Sequence, residues 1–214
     1  MIINRISYIQ ELSNMPLLKI NYNNWNLPYQ PNISFQIGHS GNMLMIHFFV
    51  KERYTMALVD KDNGKSWTDS CLEIFIKPDK SLYYYNLEFT CIGKLLMSIR
   101  KEKHNYINAP IEVLNTIERV SSLGKDMFSE KIGDNTWDLL VSIPITSLFK
   151  HNFNSWDEII NCSMNFYKCG DNLSEKHYLS WKPIYSSSPD FHLPQYFGKI
   201  EFETKMNIIN KNSL

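Results

Sequence analysis

The sequence predicts an all-β protein: an antiparallel β-sandwich of jelly-roll or immunoglobulin-like type, with one or two short helices. Three observations predict it. Apolar residues alternate with period two in about ten short runs. Clusters of Gly, Asn, Asp and Pro separate those runs, and helix signals are nearly absent.

The elements follow in order. A first strand fits 33–37. Residues 43–50 place Leu44, Ile46, Phe48 and Val50 on one face, and the turn Ser40-Gly41-Asn42 precedes them. A strand over 54–59 leads to the turn Asp62-Asn63-Gly64. In 70–76, Leu72, Ile74 and Ile76 point inward, which turns Cys71, Glu73 and Phe75 to the other face. Lys77-Pro78-Asp79 turns the chain into 82–91, where Tyr83, Tyr85, Leu87 and Phe89 oppose Tyr84, Asn86, Glu88 and Thr90. Further strands fit 94–98, 111–120, 136–143, 159–168 and 198–203, with a turn at Gly133-Asp134-Asn135. A short helix fits 145–150, because Pro144 is tolerated at a first helical turn.

The 214 residues suit one sandwich domain over 1–204, followed by a frayed tail over 205–214. Charge is balanced, with 22 Lys+Arg against 22 Asp+Glu, which speaks against nucleic acid and anionic membrane as partners. Asn contributes 22 residues and aromatics 29, so the polar surface is built largely from amides, hydroxyls and Tyr. Such a surface suits a small neutral, hydroxyl-rich ligand. No apolar stretch has the length of a signal sequence or membrane helix, so a cytoplasmic location is expected unless a leader was trimmed. Cys71, Cys91, Cys162 and Cys169 show no C-x-x-C spacing, and the six histidines no H-x-x-x-H pair. Reduced thiols and no metal site are therefore expected, and no cofactor is indicated.

Two tryptophans stand where a ligand could use them. Trp67 follows a turn-rich stretch and offers an indole face to a sugar ring, or else caps the sandwich edge. Trp181 lies at the junction of a strand and the irregular stretch 184–196, which reads as a long surface loop. Glu73, on the outward face of its strand, is a solvated carboxylate or an acceptor for two neighbouring hydroxyls. Trp137 shares its face with Leu139, Val141 and Ile143 and reads as core, while Trp25 and Trp156 fit either role. Asp69 with Glu73, or Glu73 with Glu88, leaves a glycan hydrolase open as an alternative. Met43, Met45 and His47 share a strand face of the kind that holds haem in related sandwiches, although a half-buried mixed face is the simpler reading.

The runs Trp67-Thr68-Asp69-Ser70-Cys71-Leu72-Glu73-Ile74-Phe75 and Tyr84-Tyr85-Asn86-Leu87-Glu88-Phe89 resemble the family 9 carbohydrate-binding modules. So do Asn165 to Asp171, Leu179-Ser180-Trp181-Lys182-Pro183-Ile184, and Pro189-Asp190-Phe191-His192 running into Phe197-Gly198. The resemblance spans 25–202 and is closest to the free-standing, single-domain bacterial members. It implies non-catalytic binding of a mono- or oligosaccharide, linked to carbohydrate catabolism. Trp67 and Trp181 become the two walls, Glu73 the anchoring carboxylate, and Tyr178, Asn86 and Glu88 their neighbours. Where xylanase-attached members use an Arg on the next strand, this chain aligns Glu88, so an acceptor replaces a donor. Some members carry structural calcium, but no Asp-rich loop here requires it.

Overall fold

A computed structural model describes residues 1–80 and 82–204; the expected tail over 205–214 lies outside the described residues. Fourteen strands are present among them. They are β1 (Ile2–Ile3), β2 (Leu18–Lys19), β3 (Asn32–His39), β4 (Met43–Ala57), β5 (Cys71–Lys77), β6 (Tyr84–Thr90) and β7 (Leu95–Glu102). Then come β8 (Asn105–Asn108), β9 (Glu118–Ser121), β10 (Phe128–Pro144), β11 (Ser163–Cys169), β12 (Tyr178–Ser180), β13 (Gly198–Lys199) and β14 (Glu201–Phe202). One sheet runs β2-β3-β4-β10-β9; the other runs β12-β11-β5-β6-β7-β8, with β13 on the flank of β11. A short parallel pair joins the first described strand, β1, to the last, β14.

Period-two alternation explains why the sheets pack face to face. Phe35 of the first sheet packs on its neighbour Phe48 and meets Phe166 of the second, with Phe35 and Phe166 centroids 4.3 Å apart. Leu72, Ile74, Ile76, Tyr85, Leu87 and Phe89 complete the inward face of β5 and β6, all fully buried. Trp137 and Trp156 both belong to this core.

Several elements differ from expectation. The runs 43–50 and 54–59 form one strand, β4, because β10 pairs along nearly its whole length and carries it across the polar Lys51-Glu52-Arg53. Gly133-Asp134-Asn135 is no turn but a bulge in β10, where the register shifts between Ile132 and Asn135 and Gly133 takes φ 152°. Residues 111–120 divide into a helical turn, α1 (Ile111–Leu114), and β9; Leu114 and Ile117, three residues apart, are the buried positions. The expected helix over 145–150 shortens to a 3-10 turn at Ile145–Ser147.

One polar group crosses the core. Lys168 has the inward parity of Met164 and Phe166, and its Nζ lies 2.9 Å from Glu52 Oε2 and 2.8 Å from His177 Nε2. Trp137 Nε1 donates to Glu52 Oε1 at 2.8 Å. Buried charges persist where they are paired and hydrogen-bonded in this way.

Candidate functional site

The outward face of the seven-stranded sheet is not left to water. Phe75, Tyr84, Tyr167, Ile184 and Phe191 form a second apolar cluster there. The irregular stretch after β12 folds over this face. Ile184 N donates to Asn24 Oδ1, Trp25 Nε1 to the Ser186 carbonyl, and Tyr167 OH to the Phe191 carbonyl. Tyr84 OH meets His192 Nδ1 at 2.9 Å, and burial, reinforced by Arg100, lowers the His192 pKa to about 3, so the ring is neutral. The loop expected at the surface is thus a cover that is itself partly buried.

Between this cover and the sheet lies a cavity of about 380 Å³, within the size range of small-molecule sites. Strand parity and register supply its floor. Glu73 of β5 pairs directly with Glu88 of β6, and Arg100 of β7 stands one strand further, opposite Tyr84. Trp67 lines it from a 3-10 turn, Ser66–Thr68, which backbone bonds from Asp171 N to the Trp67 carbonyl and from Asn172 N to the Thr68 carbonyl tie to the end of β11. Tyr178, Phe191 and the exposed β7–β8 hairpin with Tyr106 complete the lining.

The floor alternates acceptors and donors. Asn86 Nδ2 donates to Glu88 Oε1 at 2.7 Å, while Asn86 Oδ1 accepts from Ser98 Oγ and from Arg100 Nε at 2.7 Å. The Arg100 guanidinium stacks on Tyr106, 4.3 Å from the ring centroid. Cys169 Sγ donates to Glu73 Oε1 at 3.0 Å. Burial and then the Glu88 charge push the Glu73 pKa well up. Burial also raises Glu88, to about 7, against the pull of Arg100 and Asn86. Two buried carboxyls on paired strand positions resist ionising together.

Of the residues singled out from sequence, Trp67, Glu73, Glu88 and Tyr178 line the cavity. Glu73 is only 4% exposed, so its outward parity leads to a covered floor and not to solvent. Asn86 is fully buried behind the lining and acts by orienting Glu88 and Arg100. Trp181 is elsewhere. It is 8% exposed, its ring meets Phe166 edge-on at 5.6 Å, and Gly198 leaves room for it. The reason is parity: Tyr178 and Ser180 face outward, whereas Leu179 and Trp181 face the core. The expected pair of tryptophan walls is therefore replaced by Trp67 with Tyr178 and Phe191. Asp69 is withdrawn too, since its Oδ2 accepts from Leu58 N and Val59 N. His47 pairs with Asp138, and Met45 packs on Ile6 and Leu12, which occupies the face considered for haem. Arg100 was missed; its signal was the alternation Leu96, Ser98, Arg100 on one face of β7.

The model of carbohydrate-binding family 9 matches residues 5–202. The chain belongs to carbohydrate-binding family 9. Solved structures similar to it share the fold. A Bacteroides uniformis protein proposed to bind carbohydrate is 34% identical, with a TM-score of 0.89 over 95% of this chain and 98% of that one. A family 9 module of Caldicellulosiruptor kristjanssonii solved with glucose is 12% identical, with TM-score 0.56 and 96% of each chain covered. Its complex with cellotriose gives 12% identity and TM-score 0.55, covering 96% and 94%. At that identity the likeness bears on the fold alone. No curated protein matches the chain. Where the resemblance implied an arginine on the strand next to the carboxylate, the arginine lining this cavity is Arg100 on β7, one strand beyond Glu88.

Proposed function

We propose that this family-9 chain binds a neutral mono- or short oligosaccharide in the cavity under the 184–196 cover, in the service of carbohydrate catabolism. One observation carries the reading. A half-buried indole, Trp67, borders a floor on which the acceptors Glu73 and Glu88 alternate with the donor Arg100. Apolar C–H faces of a sugar stack on the indole, and vicinal hydroxyls donate to a carboxylate while accepting from a guanidinium. The glucose and cellotriose found on distant family members support the ligand class. One such site gives a dissociation constant between about 1 μM and 1 mM. Calorimetry against a panel of pentoses, hexoses and short β-linked oligosaccharides tests it. At least one sugar binds, and Glu73→Gln weakens it about tenfold or more. Absence of heat for every sugar at 10 mM (about the weakest affinity compatible with a site) counts against the reading.

The raised carboxyl pair favours one second reading, hydrolysis by Glu73 with Glu88. It is the weaker one, because a glycosidase places its two carboxyls on either side of the scissile bond. Glu73 and Glu88 rise side by side from adjacent strands of one floor. Turnover of aryl glycosides, lost on Glu88→Gln, would reverse that preference.

A further inference from the structure

Next to the sugar-facing groups, the floor gathers sulfur. Cys71 of β5 and Cys169 of β11 are direct cross-strand partners, and Glu73 follows two residues after Cys71 on the same face. All three are buried, and their Sγ, Sγ and carboxylate oxygen atoms lie within 4.8 Å of one another. A zinc ion with bonds of about 2.3 Å needs tetrahedral ligands about 3.8 Å apart, so rotamer shifts of less than about an ångström would close the set. Cys169 Sγ and Glu73 Oε1, at 3.0 Å, are already nearer than that. A second observation points the same way. Glu88, 3% exposed and lining the cavity beside Glu73, has an Oε2 with no hydrogen-bond partner among the described residues. Asp171 adds further negative charge nearby, and Arg100, which faces these carboxyls, also bonds Asn86 and the Lys103 carbonyl and stacks on Tyr106.

We infer that Cys71, Glu73 and Cys169 bind one thiophilic divalent cation of the zinc class, with a fourth position open to the cavity beside Glu88. Two thiolates and a carboxylate suit such an ion and not calcium or magnesium, which take oxygen ligands. Binding forms two metal–sulfur bonds and one metal–oxygen bond. The two thiol protons leave to solvent, with a third from Glu73 where it is protonated. Burial holds the Cys71 thiol up at about 12, and the hydrogen bond with Cys71, then burial, holds Cys169 well above its usual range, so the cation must itself displace these protons. The charged groups that act on the cluster are Glu88, Arg100 and Asp171 and, from the core side of β11, Lys168. The sequence concealed this set because its two cysteines are joined by strand register and not by a short spacing.

The test is a titration of the reduced, full-length protein with Cd²⁺, followed by thiolate-to-metal charge-transfer absorbance. The inference predicts a band that saturates at one Cd²⁺ per chain. Cys71→Ser and Cys169→Ser each abolish most of the band and lower affinity about a hundredfold, while Cys162→Ser, in the core away from the cluster, leaves both unchanged. Should a serine variant fail to fold, Glu73→Gln decides: the thiolate band remains and affinity falls about tenfold or more. A folded wild-type protein without the band, or a folded Cys169→Ser or Glu73→Gln protein that binds Cd²⁺ as tightly as wild type, overturns it. Sugar calorimetry is read separately, so loss of the saccharide reading leaves this result untouched.

Discussion

At the scale of single residues, the chemistry of the site rests on carboxyls kept out of water. Glu88 has its pKa raised from 4.5 to about 7, chiefly by burial. The folded site then holds a proton more tightly than the unfolded chain does, and stability falls as pH rises from about 4.5 through about 7. Glu88→Gln removes that cost while keeping an acceptor for Asn86 Nδ2. Its melting temperature, compared with wild type, is therefore expected to gain more at pH 8 than at pH 5, by up to about 3 kcal/mol of stability. A gain independent of pH would show that Glu88 is not strained by ionisation. Glu73 and Trp67 were legible at this scale from their loop and strand positions. Arg100 was not, because an arginine near a strand end reads as solvent-facing until the β7–β8 hairpin and Tyr106 are placed over it.

At the scale of elements, parity decides what each strand offers. In β5 it sends Leu72, Ile74 and Ile76 into the core and Glu73 to the other face, as their alternation in the sequence indicates. Carried through β12 it would have separated Tyr178 from Trp181, but a three-residue strand offers too short a run to show alternation. The 3-10 turn at Ser66–Thr68 and the cover over 184–196 have no period at all, and their positions come from long-range bonds such as Ile184 N to Asn24 Oδ1. The placement of Trp181 has its own test. A Cβ on residue 198 would lie 2.7 Å from Trp181 Cζ3 and 2.8 Å from Lys182 Cε. Gly198→Ala is thus expected to cost about 1–3 kcal/mol in urea unfolding, whereas an indole standing free in the cavity would leave stability unchanged.

At the scale of the whole molecule, the sandwich was the most legible feature, because alternation in many strands is redundant evidence. What alternation cannot show is the ion pair within it: Lys168 has core parity and no apolar character, and its partner Glu52 sits 116 positions earlier. Glu52→Ala leaves the ammonium buried and uncompensated, with an expected loss of about 3–5 kcal/mol; the double change Glu52→Leu with Lys168→Met recovers most of it. Burial and then Lys168 lower the His177 pKa well below 6.5. The unfolded chain takes up a proton there that the folded one refuses, so this group withdraws stability as pH falls below about 6.5. Unfolding midpoints for wild type and His177→Gln from pH 7 to pH 5 should converge if that is right.

The proposed saccharide lies in the cavity bordered by Trp67, and not in a slot between Trp67 and Trp181. Calorimetric titration of the best-binding sugar into wild type, Trp67→Ala and Trp181→Phe tests it most directly. Trp67→Ala is expected to weaken binding at least about tenfold, through loss of stacking and buried area, while folded Trp181→Phe binds as wild type does. Undiminished binding by Trp67→Ala, or a loss confined to Trp181→Phe, would contradict it.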